Sequence, residues 1–143
     1  MKIYSLLFLL LLFMISCDFN TFRENKPEDR QEAEKVTEKF YTLLKEGKKE
    51  EAAKLFSNDF FKFSKKSELD QILEWEISES KNAMEYKLAD WTTLVVGGSS
   101  ARSEYTLVYN VQRGKLKTRE EFSLQKEKDK AIRILKYKMT AQQ

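Results

Sequence analysis

The 143-residue chain has no histidine, one cysteine, one proline and four glycines. Without imidazole there is no base that titrates near neutral pH, no Ser-His or Cys-His nucleophile pair, and no His ligand for zinc or iron. With Cys17 the only thiol, thiolate catalysis and thiolate metal sites have no place in the folded domain either. A strong excess of one charge is also missing. The 26 Lys and Arg face 23 Asp and Glu, so the concentrated basic face of a nucleic-acid module is not expected. No apolar run reaches the roughly 20 residues of a membrane-spanning helix. What is left is carboxylate, Lys, Tyr and hydroxyl chemistry, and no constellation of these groups stands out. Neither a cofactor nor a metal is expected.

Aromatic side chains, by contrast, are plentiful: ten Phe, six Tyr and two Trp. They argue for a packed domain rather than a disordered chain, and no internal repeat or low-complexity block interrupts it. The N-terminus reads differently from the rest. Lys2 supplies a positive charge, Ser5 to Ile15 is almost unbroken Leu, Phe, Met and Ile, and Ser16-Cys17 closes the run. A basic start, an apolar core and a small residue before the cut make residues 1–16 a secretory signal. As a core helix the same stretch would need burial on every side, which a small domain can hardly supply.

Met14-Ile15-Ser16-Cys17 resembles a bacterial lipobox, with Met14 where the family prefers Leu. The resemblance implies that Cys17 is lipidated and becomes the mature N-terminus. A lone thiol in an oxidising compartment is a liability, which agrees with modification. Two or three acyl chains, at about 0.8 kcal/mol per buried methylene, would hold the protein stably on a bilayer. The expectation is a bacterial cell-envelope protein, lipid-anchored to a membrane, with its domain outside the cytosol. Asp18 resembles the inner-membrane retention signal of some lipoproteins.

Residues 18–26 lack periodicity, so residues 17–26 read as a lipidated tether and residues 27–143 as one domain. Pro27, Glu28 and Asp29 suit a helix start, and Ala33, Val36, Phe40, Leu43 and Leu44 recur at helical steps. That predicts a helix over 28–46 with Gly47 as a left-handed cap. A shorter helix follows over 48–56. Phe60, Phe61 and Phe63 suggest a brief extended piece. Ser67 and Asp70 form a cap for a third helix reaching about residue 82, with Leu69, Ile72, Leu73, Trp75 and Ile77 as its apolar set. The period then becomes two, giving strands over 86–96, 102–112, 116–126 and 131–139. In the second, Tyr105, Leu107, Tyr109 and Val111 share a face; in the third, Leu116, Phe122 and Leu124 do. The slip between Ile134 and Leu135 predicts a bulge or a strand covered on both faces.

The chain is therefore expected to be α+β, with three N-terminal helices packed against a curved four-stranded antiparallel sheet. Phe40 to Gly47 followed by Glu51 to Ser57, then Asp90-Trp91 through Tyr105 to Tyr109 and Phe122 to Tyr137, resembles the nuclear transport factor two-like, or cystatin-like, domains. The resemblance covers about residues 28–140 and implies a cone of sheet wrapped on helices. The fold hosts isomerase- and dehydratase-like enzymes beside many binding members, so it does not decide function.

An apolar mouth in such a cone would be lined by Trp75, Trp91, Tyr105, Tyr109, Phe122 and Tyr137. The plainer reading makes these residues core. A basic face of Arg113, Lys115, Lys117, Arg119, Lys136 and Lys138 would suit anionic headgroups, diluted by Glu120, Glu121, Glu127 and Asp129. The simpler account is a solvated, edge-protecting face. The leading expectation is a membrane-anchored, non-catalytic binding domain for a partner protein or a small apolar ligand. The alternative is a lyase- or isomerase-like enzyme using a carboxylate and tyrosines, with Asp90, Tyr105 and Tyr109 the nearest materials.

Overall fold

The computed structural model describes residues 21–81 and 83–142. The signal sequence over 1–16, Cys17 and the first part of the tether lie outside the described residues. The elements run β1 (Phe22–Glu24), α1 (Pro27–Lys45), α2 (Lys49–Ala53), a 3-10 helix (Asn58–Lys62), α3 (Lys66–Ser80), β2 (Met84–Val96), β3 (Arg102–Arg113), β4 (Leu116–Lys126) and β5 (Ile132–Ala141). Among the described residues three α-helices pack against one antiparallel sheet in which the five strands follow chain order.

The fifth strand is the departure from expectation, and it comes from the supposed tether. Phe22, Arg23 and Glu24 pair with Val96, Val95 and Leu94. Three residues are too few to show a period of two, so nothing in their pattern announces a strand. Further bonds hold the segment at both ends and along it. Gly97 N donates to Thr21 O at 2.8 Å, Thr93 N donates to the Asn25 side chain at 3.0 Å, and Arg23 pairs with Asp29 of α1 at 2.7 Å.

α1 places Ala33, Thr37, Phe40, Tyr41 and Leu44 inward and ends as expected at Gly47. Its φ of 71° lets Lys48 N reach Leu43 O at 2.9 Å and Gly47 N reach Leu44 O at 3.1 Å, which satisfies two of the last carbonyls. The Phe60 region is a 3-10 helix rather than an extended piece. Ser57 Oγ accepts from Asp59 N at 3.1 Å and starts the turn, so Phe60 is buried while Phe61 and Phe63 face outward. α3 begins at Lys66, not at a Ser67–Asp70 cap. The longer Glu68 side chain reaches back to accept from Lys65 N at 3.0 Å.

The expected irregularity in β5 is a bulge. Ser123 pairs with Lys136 but Leu124 pairs with Ile134, leaving Leu135 as the extra residue. There the strand's outer edge is covered: Ser57 N donates to Ile134 O, and Ile134 N donates to Leu55 O, both at 2.9 Å. The core centres on Phe40, whose ring meets Tyr41, Phe56, Phe122 and Tyr137 at centroid distances of 5.6, 6.0, 5.4 and 5.6 Å. Edge-on aromatic contacts of this kind add to plain burial.

Candidate buried carboxylate site

Three charged side chains stand where the core pattern calls for apolar ones. In α3 the inward stripe is Leu69, Leu73, Glu76 and Ser80. In β3 the inward face runs Tyr105, Leu107, Tyr109, Val111 and then Arg113; in β4 it is Thr118, Glu120, Phe122 and Leu124. Helix and strand periodicity therefore aim Glu76, Arg113 and Glu120 at one another. Their side chains have no exposed surface.

Each polar atom of the cluster is occupied. Arg113 Nη1 donates to Glu120 Oε1 at 2.6 Å, and Nη2 donates to Glu76 Oε2. Thr118 Oγ1 donates to Glu120 Oε1 at 2.8 Å, and Arg113 Nε donates to Ser80 Oγ at 3.4 Å. Tyr41 Oη donates to Glu120 Oε2 at 3.0 Å. Tyr137 Oη sits between the two acids, touching Glu76 Oε1 and, at 2.9 Å, Glu120 Oε2.

Proton counting decides the charge state. Tyr137 has one hydroxyl proton for two carboxyl oxygens, so one acid must bring a proton of its own. Two ionised carboxylates and one guanidinium would also leave a net negative charge in the core, which is costly. Glu76 is the proton holder. Burial first, and the neighbouring Glu120 second, push it up from 4.5 to about 7, against the pull of Arg113 and Tyr137. Below about pH 7, where Glu76 keeps its proton, Glu76 can donate to Tyr137 while Tyr137 donates to Glu120. Burial and the acids beside them hold Tyr41 and Tyr137 well above the usual phenol value. Burial would lower Arg113, yet its bond to Glu120 and both acidic charges raise it overall.

These placements correct part of the surface reading. Arg113 does not belong to a basic face, and Glu120 does not dilute one. Both sit on the inward parity of their strands. Lys115, Lys117, Arg119, Lys136 and Lys138 remain exposed. Asp90 is exposed at a bulge between Leu88 and itself, where its Oδ1 accepts from Trp91 N at 2.8 Å. Asp29 is buried too and pairs with Arg23, but the acids with no exposed surface are Glu76 and Glu120. Their signal was available: a charge falling in phase with an apolar stripe.

The six aromatic candidates occupy different surroundings. Tyr109, Phe122 and Tyr137 form one ring cluster, with Phe122 lying 5.9 Å from Tyr109 and 4.8 Å from Tyr137. Tyr109 Oη lies 2.7 Å from Thr37 Oγ1, and burial pushes its pKa to about 12. Tyr105 is buried on the same strand face. Trp91 is half-buried beneath the Arg30 guanidinium, 5.2 Å from its ring centre. Trp75 turns outward, 38% exposed, and borders a surface groove with Ile72 and Met139. No protein-family model and no curated protein matches the chain.

Proposed function

We propose that this chain is a lipid-anchored envelope protein whose domain, of the nuclear transport factor two-like type, binds a partner without catalysing a reaction. The observation that carries the non-catalytic part is the closure of the Glu76–Arg113–Glu120 cluster. Its side chains have no exposed surface and its donors and acceptors are spent on one another. A reactant needs an atom to touch, and here each is already bonded. Rings pack tightly beside the cluster at Phe40 and Phe122, so recognition falls to the outer surface and favours a partner protein over a small apolar ligand.

The second reading keeps the same residues but opens them. A lyase- or isomerase-like enzyme would use Glu76 as its acid, poised at about 7, with Tyr41 and Tyr137 as donors. It requires an opening motion that brings substrate to Glu76.

Anchoring rests on Cys17 and the sequence before it. Fractionation of cells carrying the wild type or Cys17→Ala tests it. The wild type should stay with membranes and carry acyl mass on its N-terminal peptide, and the variant should lose both. A wild type recovered dissolved with its leader intact contradicts the proposal.

A further inference from the structure

The first described residue is pinned to one end of the sheet. Gly97 N donates to Thr21 O at 2.8 Å, and a Cβ at position 97 would run into the Thr21 hydroxyl. Glycine at the start of the β2–β3 turn thus lets the chain's entry point lie directly against that turn. β1 is then fastened by Arg23 to Asp29 and, just past its end, by Asn25 to Thr93. Four residue steps separate Thr21 from Cys17, and four steps span at most about 14 Å.

We infer that the end of the sheet formed by Phe22 and the β2–β3 turn rests on the phospholipid surface. The inference rests on the anchoring of Cys17 proposed above. A long flexible tether would let the domain tumble, whereas four residue steps keep the entry point within about 14 Å of the lipidated residue. The surface there suits the contact. The turn from Gly97 to Ala101 carries no charge. Phe22, 66% exposed at the strand edge, presents an aromatic ring to the interface. By register Phe22, Val96 and Arg102 share one face, where the exposed Arg102 is paired with Glu104 through Nε at 3.2 Å.

The opposite end of the sheet is the Gly114–Lys115 turn. β3 alone has 12 residues, which sets the two ends roughly 35–40 Å apart. The exposed lysines at 115 and 117 lie at that far end and Lys138, opposite Glu121, lies midway along the sheet, so none of them belongs to this contact.

Acylation blocks Cys17, so an introduced cysteine is the sole free thiol of the mature protein. Ser99→Cys and Lys115→Cys lie in the two exposed turns, and Lys138→Cys on the outer sheet face. Each full-length variant, extracted from membranes and spin-labelled, is reconstituted in phosphatidylethanolamine–phosphatidylglycerol vesicles containing a nickel-chelating lipid. Strong relaxation enhancement at 99, with little at 115 or 138, is the expected result. Enhancement equal at all three positions, or greatest at 115 or 138, overturns the orientation. So does immobilisation at 99 without nickel relaxation, which would mark a protein neighbour at this end. The mass of the N-terminal peptide separates the two claims. An unmodified Cys17 contradicts the anchoring reading, whereas an acylated protein unrelaxed at 99 contradicts the orientation alone.

Discussion

Arg113 and Glu120 form a salt bridge of 2.6 Å across the β3–β4 hairpin, between side chains with no exposed surface. Taking two charges out of water costs several kcal/mol each, and the attraction offsets this only if the remaining donors and acceptors are met. Here Glu76, Thr118, Ser80, Tyr41 and Tyr137 meet them, from α3, β4, α1 and β5. The cluster ties four elements to β3 through directed bonds.

Removing the cation should therefore be severe. Arg113→Met leaves Glu120 buried and unpaired, and urea unfolding should show a loss of about 3–5 kcal/mol. Glu76→Gln should cost far less, because the amide resembles the protonated acid. Similar losses for both would mean that Glu76 is ionised in the folded protein.

Stability should fall with rising pH across neutrality. The Glu76 proton is held to about 7 in the fold against 4.5 when unfolded, so the folded state binds more protons between these values. Its contribution is complete below about 4.5 and is lost as the pH rises through about 7, on the order of 3 kcal/mol in all. Asp129, held at about 2 by Arg133 and by Ala131 N–H, acts with the opposite sign and only in acid. Thermal unfolding from pH 5 to pH 8 checks this. The melting temperature should fall in the wild type and stay level in Glu76→Gln.

Tyr137→Phe removes the hydroxyl that links the two acids, leaving Glu76 Oε1 without a partner and Glu120 Oε2 with Tyr41 alone. A loss of about 1–3 kcal/mol is expected. The loss should be larger above pH 7, where Glu76 ionises and the acids repel. An equal loss at pH 5 and pH 8 would place the proton elsewhere.

Gly114 isolates backbone strain from packing. Its φ is 57° in the β3–β4 turn, and a Cβ there would meet nothing within 4 Å. Gly114→Ala should cost about 1 kcal/mol with no change in the denaturant slope. A neutral result would show that the turn relaxes.

Most of the architecture was legible because it rests on periodic burial. The stripe of α1, the glycine at 47, the alternation of β3 and the phase slip near Leu135 all carried through into elements, a cap and a bulge. β1 was not, since its three residues are too few to show a period and pair with Val96, Val95 and Leu94, distant in sequence. The buried cluster was half legible. Arg113 continues the inward parity from Tyr105, and Glu120 that of Phe122 and Leu124, but charge argued for the surface. Only the meeting of α3 with the sheet shows that one guanidinium serves two acids. Trp75 and Ile72 misled for the opposite reason: large apolar side chains one step off the inward stripe end up on a groove.

The most direct test of the sealed interior is hydrogen exchange of the Arg113 guanidinium, read by nitrogen-15 NMR. A closed cluster predicts separate, sharp Nε and Nη proton signals at pH 8 that exchange only as fast as the domain unfolds. Rapid exchange with solvent in the folded domain would mean that water reaches Glu76 and Glu120, and would contradict the closure on which the non-catalytic account rests.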